Sequence, residues 1–151
     1  MAVLQTNEIL KERLSRKEGM RRLSSDETEA IKRIVLETTL DVVEICTELD
    51  IPYMLGGGSA LGAVRHQGFI PWDDDIDLNI PREYIDSLLD EVERRYPDKY
   101  YVEAPLRTPG YLSSFIQIHR RGTVFQEYLV QKEENCGVKI DIFVIENTYN
   151  N

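Results

Sequence analysis

Four aspartates, Asp73, Asp74, Asp75 and Asp77, follow closely on a glycine-rich turn, Gly56-Gly57-Gly58-Ser59. Over residues 75–80 the chain alternates, with Asp75, Asp77 and Asn79 on one face of a strand and Ile76, Leu78 and Ile80 on the other. Burying the apolar face forces two carboxylates side by side onto the opposite one. Like charges so placed repel and resist desolvation, so they need strong hydration or a cation. Magnesium is the expected partner, with manganese the alternative, because such ions take hard oxygen ligands from a few carboxylates and from a substrate's phosphates. Upstream, the helix-compatible Ala60-Leu61-Gly62-Ala63-Val64-Arg65 puts the backbone amides of Gly57, Gly58 and Ser59 at a helix start, which suits phosphate. A phosphate cradle beside a metal-binding aspartate pair is hardware for nucleotidyl or phosphoryl transfer.

Asp141 lies in a second alternating segment, 138–144, where Lys139, Asp141 and Phe143 oppose Val138, Ile140, Ile142 and Val144. It is a third carboxylate on a strand, placed like the first two; read alone, it is an exposed polar position. Ser59 can hydrogen-bond a phosphate, cap the short helix from Ala60, or do both. Arg65 and His66, near the end of that helix, either bind phosphate or pair with the helix C-terminus and the acids. Asp73 and Asp74 are expected to shape the loop after Trp72, with one of them at most touching metal. Trp72 and Phe69 are expected as packing anchors; Lys139 can reach a phosphate oxygen from the Asp141 face but is expected as a surface lysine.

The elements that must position these residues are legible from periodicity. Ser24 or Ser25 caps a long helix, with Glu27 completing a capping box and Ile31, Ile34, Val35, Thr38, Val42, Ile45, Cys46 and Leu49 as its apolar stripe. Pro52 marks a turn, and residues 53–55 read as a short buried strand feeding the glycines. A second helix is expected over 82–96, with Tyr84, Ile85, Leu88, Leu89 and Val92 inward. Segments 99–103, 114–120 and 122–126 alternate as strands, separated by a turn-rich stretch. The whole predicts an α/β (α+β) fold, a small mixed sheet flanked by helices and carrying all three acids. Its divisions are a basic arm or short helix over 1–23, the catalytic domain over 24–147 and a tail over 148–151.

Bulk properties narrow the partners. At 151 residues, 42% hydrophobic and 30% charged, the chain suits one globular domain. A net charge of −9 argues against nucleic acid held on a basic surface, though not against a nucleotide, since bound magnesium reverses the local sign. No apolar run reaches membrane-spanning length and the N-terminus is polar, so a cytoplasmic setting is expected. The arm, with Lys11, Arg13, Arg16, Lys17, Arg21 and Arg22, is the feature that would lend weak association with the inner membrane face. Cys46 and Cys136 form neither a disulfide framework nor a zinc site.

The order Gly57-Gly58-Ser59, Asp75-x-Asp77 and a later lone aspartate resembles the nucleotidyltransferase superfamily pattern. More narrowly, GGSALGAVRHQGFIPWDDDIDLNIPR is similar to the signature of the LicD family of phosphocholine transferases, to which the fukutin-type phosphoribitol transferases are related. The likeness runs over residues 24–145 and includes Ile118-His119-Arg120-Arg121-Gly122-Thr123-Val124-Phe125; Gly56 stands where the family usually has a bulkier or polar residue. Members typically carry a further C-terminal segment, of which only a short tail is seen here. The resemblance implies a magnesium-dependent transfer of a phospho-alcohol from a CDP-activated donor, CDP-choline or similar, to a glycan or glycolipid precursor of the cell surface, lipopolysaccharide or teichoic acid, with release of CMP. It gives Asp75, Asp77 and Asp141 as metal ligands and catalytic residues, the last also as a base, and Gly57, Gly58, Ser59, Arg65 and His66 as nucleotide or phosphate contacts. Nucleotidyl transfer from a nucleoside triphosphate and non-catalytic binding of metal and nucleotide are the competing readings.

Overall fold

The computed structural model describes residues 23–126 and 137–146. The expected arm over 1–23 and tail over 148–151, and the position of Cys136, fall almost wholly outside them. The described residues open on helix α1, Ser25–Glu48, which the Ser24–Glu27 capping box starts: the Ser24 hydroxyl accepts from the Glu27 amide and the Glu27 carboxylate accepts from the Ser24 amide. Ile31, Val35, Val42, Ile45 and Cys46 are buried along one stripe. Burial pushes the Cys46 thiol up to about 11, so it packs as a small hydrophobe. Leu49, expected in the stripe, is the C-cap and half-exposed, because the helix ends one residue before it.

Strand β1, Met54–Leu55, follows, then helix α2, Gly57–His66. Next come strand β2, Asp77–Pro81, a 3-10 turn, Arg82–Tyr84, and helix α3, Ile85–Arg95. Strands β3, Tyr100–Glu103, β4, Ile116–Arg120, and β5, Lys139–Ile145, are the remaining described elements. The five strands form one mixed sheet in the order β1-β2-β5-β4-β3. Among the described strands only β2 and β5 run parallel, with Asp77 opposite Asp141. The expected α/β sheet flanked by helices is the observed one.

Local readings needed correction in four places. Residues 122–126 form a turn and an irregular segment rather than a strand, since Gly122 takes a positive φ of 75° that breaks the extended run. Strand β1 is exposed, not buried, because it is an edge strand paired on one side alone. Helix α2 begins at Gly57 with Gly56 as N-cap, so Ser59 is already inside the helix and does not cap it. The first part of the expected second helix is a 3-10 turn, as the extended Pro81 leads into it.

Leu78, Ile80, Ile116, Ile118, Ile140 and Ile142 alternate inward on the three central strands and are fully or almost fully buried, with Leu88, Leu89 and Val92 of α3 and the α1 stripe joining one core. Each such side chain contributes about 1.5–3 kcal/mol relative to exposure. Tyr100 and Lys99 reach Asp41, and Arg120 reaches Glu37, tying α1 to the far strands.

Helix α2 lies against β2 through two contacts. The Asp77 amide donates to Ser59 Oγ at 2.9 Å, and the Gly56 amide donates to the Asp77 carbonyl. At its other end, buried Gly62 faces the returning chain so closely that a Cβ would lie 2.6 Å from the Gly68 carbonyl oxygen. Gly62→Ala is therefore expected to lower stability by about 1–3 kcal/mol, the range for overpacking against atoms that cannot swing away. Urea denaturation of the two chains checks it; an unchanged midpoint would show that the 67–70 return adapts freely.

Candidate active site

The alternation that buries Leu78 and Ile80 of β2 and Ile140 and Ile142 of β5 turns Asp77 and Asp141 to the other face of neighbouring parallel strands. Asp75, just before β2, joins them: carboxylate oxygens of Asp75, Asp77 and Asp141 all lie within 4.8 Å of one another. That spacing lets one small divalent ion touch all three. The set is all oxygen, which suits magnesium or manganese and not zinc. Hard-cation ligation is thus a fit of geometry and donor type together.

The surroundings explain how three acids share this space. Burial is the largest effect on Asp75 and Asp77 and pushes both carboxyls above the usual carboxylate range; Asp73 adds repulsion at Asp75, and Asp75, Asp141 and Asp73 add it at Asp77. Asp74 is shifted upward as well, by burial and then by Asp75. Asp141 receives a hydrogen bond from the Gln117 side-chain amide at 3.0 Å, and Lys139 Nζ stands 3.4 and 3.5 Å from its two oxygens. Both strands that flank β5 therefore equip the site, since Gln117 is opposite Asp141 in the β4 register.

The glycine turn is built around the carboxylates. Gly57 takes a positive φ of 44°, and a Cβ there would overlap the Asp77 carboxylate; a Cβ on Gly58 would lie 2.7 Å from Asp73 Oδ2. Two acids thus face the first turn of α2, where unpaired amides favour negative charge. Asp73 meets this turn as well as Asp75, so it belongs to the cluster and is more than a loop former.

Residues 50–151 match the family model described as LicD/FKTN/FKRP, nucleotidyltransferase domain. The chain belongs to that family. The lipopolysaccharide cholinephosphotransferase LicD of Haemophilus influenzae is 45% identical over 56 residues, covering 34% of this chain and 21% of the relative. An uncharacterized protein of Rickettsia prowazekii is 32% identical over 109 residues, covering 69% of this chain and 36% of its own. The human ribitol 5-phosphate transferase FKRP is 48% identical over 48 residues, covering 32% of this chain and 10% of its own. The chain thus spans from 10% to 36% of the lengths of these three relatives.

Within the LicD-family domain, the fold brings Gly57, Gly58, Ser59, Asp75, Asp77 and Asp141 together. It does not bring Arg65 and His66 to them. Both are exposed in the last turn of α2, about 12 Å along the helix from the glycines. Trp72 is 79% exposed and is no packing anchor among the described residues, whereas Phe69 packs on the core as expected. Lys139, expected on the surface, is buried beside Asp141. Lys139 and Gln117 are the site residues that the motif alone misses. The available signal was strand alternation, which puts each on the face of Asp141.

A carboxyl whose folded value is raised binds protons more readily folded than unfolded. Its penalty is full at neutral pH, shrinks as pH falls through the folded value, and is gone below the ordinary value near ~4. Without metal, Asp75→Asn and Asp77→Asn should therefore melt a few degrees above the parent chain at pH 7.5, with the gain shrinking toward pH 5. Calorimetric scans in chelator across that range measure it. A lower melting temperature for both variants at every pH would make these acids structural partners instead.

Proposed function

We propose that this chain carries the donor site of a magnesium-dependent transferase that moves a phospho-alcohol from a CDP-activated donor to a hydroxyl of a cell-surface glycan precursor. The observation that carries the reading is the convergence of Asp75, Asp77 and Asp141 within 4.8 Å, at the first turn of α2. The family assignment and the names of the LicD and FKRP relatives, a cholinephosphotransferase and a ribitol 5-phosphate transferase, support the phospho-alcohol as the transferred group. A choline-like alcohol and cytidine are the finer elements of the proposal.

In this reaction an acceptor oxygen attacks the phosphorus that bears the alcohol, the bond from that phosphorus to the CMP oxygen breaks, and CMP leaves. Phosphoryl transfer of this kind needs mainly positioning and neutralisation of charge. Magnesium, held by Asp75, Asp77 and Asp141, would supply charge neutralisation for the donor's diphosphate. The first amides of α2, at Gly57, Gly58 and Ser59, orient phosphate oxygens beside the acids. Ser59 fixes the height of α2 on β2, since its hydroxyl oxygen holds the Asp77 amide. Both oxygens of Asp141 already face donors from Gln117 and Lys139, so its role is ligand rather than proton acceptor.

Release of CMP from CDP-choline with added magnesium, followed by phosphorus NMR, tests the reaction. Asp77→Asn should lower the rate at least 100-fold, within the range that electrostatic groups at phosphoryl and acyl transfer sites contribute. Binding is tested separately by melting shifts. Magnesium alone should give a small shift, and magnesium with the cytidine diphosphate compound a shift larger than the sum of each alone. Strictly additive shifts would separate metal and nucleotide into different sites and remove the mechanism.

A further inference from the structure

Lys139 is the unusual member of the acid cluster. It is 8% exposed, on the same face of β5 as Asp141, and its ammonium is almost equidistant from the two Asp141 oxygens at 3.4 and 3.5 Å. Its positive charge acts on Asp74, Asp75 and Asp77 as well. Continuing the β2–β5 register, in which Asp77 is opposite Asp141, two residues back sets Lys139 level with Asp75. A buried lysine costs several kcal/mol in lost hydration unless close negative charge offsets it. Here four aspartates, Asp74, Asp75, Asp77 and Asp141, supply that charge.

A group of acids this dense has enough carboxylates for two divalent ions, the arrangement in which paired ions about 3.5–4 Å apart clamp a phosphoryl group. The Lys139 ammonium already lies 3.4 and 3.5 Å from the Asp141 oxygens, so a second cation drawing on that carboxylate would meet its charge. We infer that Lys139 is a built-in cation of the site: it takes the place of a second divalent ion, holds the occupancy at one ion per chain, and keeps the metal-free cluster folded. The inference rests on the metal-site reading of Asp75, Asp77 and Asp141. Lys139 acts through those carboxylates, so it is a positioning residue rather than a catalytic one.

The test uses the full chain and Mn2+ as the probe, counted by electron paramagnetic resonance and titration calorimetry, beside melting temperatures in chelator. The parent chain and Lys139→Arg, which keeps the charge, should each bind one Mn2+. Lys139→Met, similar in length and uncharged, should bind two, the first about tenfold tighter, the size of repulsion between charges of two and one a few ångströms apart under near-water screening. Its metal-free melting temperature should fall below the parent's and recover on adding Mn2+. Lys139→Gln replaces it if the methionine chain does not fold. Two ions already in the parent chain, or one ion of unchanged or weaker affinity in the uncharged variant, overturn the inference while leaving the metal site standing. A metal-free melting temperature raised by the uncharged variant overturns it too. If neither the parent nor any variant binds Mn2+, the proposed function itself fails and takes the inference with it.

Discussion

The crowding of negative charge around β2 and β5 is the constraint on which the rest of the structure depends. Asp75, Asp77 and Asp141 sit within 4.8 Å of one another in partly desolvated positions, an arrangement that costs free energy in the absence of a cation. It exists because the reverse faces of the same strands are the core. Moving Asp77 or Asp141 away would mean a one-residue slip, which would send Leu78, Ile80, Ile140 and Ile142 to the wrong face. The loss would be about 1.5–3 kcal/mol for each side chain, more in sum than repulsion between half-solvated carboxylates. Hydrophobic burial holds the acids together against their own charge.

Several local features then follow as accommodations. The glycines at 57 and 58 leave room for the Asp77 and Asp73 carboxylates, and the first turn of α2 offers them amide dipoles. Gln117 from the neighbouring strand β4 and Lys139 from Asp141's own strand donate to its oxygens. Gly56 and Ser59 lock helix and strand through backbone groups of Asp77, so that the glycine turn and the acids move as one unit. Such a site is deficient in positive charge, which on the proposed reading a phosphate-bearing ligand with its cation would supply.

Much of this could be read from the sequence. Period-two alternation assigned Asp77 and Asp141 to strand faces opposite the core, and the capping box at Ser24 with its apolar stripe located α1, because both signals are local and set by backbone geometry. The run from Gly57 through Asp77 was specific enough to indicate the family before any coordinates. What the sequence could not decide was distance. That Asp141 lies beside Asp77 depends on β5 inserting between β2 and β4, a parallel pairing across 64 positions for which no local signal exists. The same insertion buries Lys139, whose chemistry in isolation favours water, and leaves Arg65 and His66 at the far end of α2, although they are closer in sequence to the acids. Trp72 is exposed for a similar reason: side-chain type sets a tendency to bury, whereas the path of the loop decides whether there is anything to bury against.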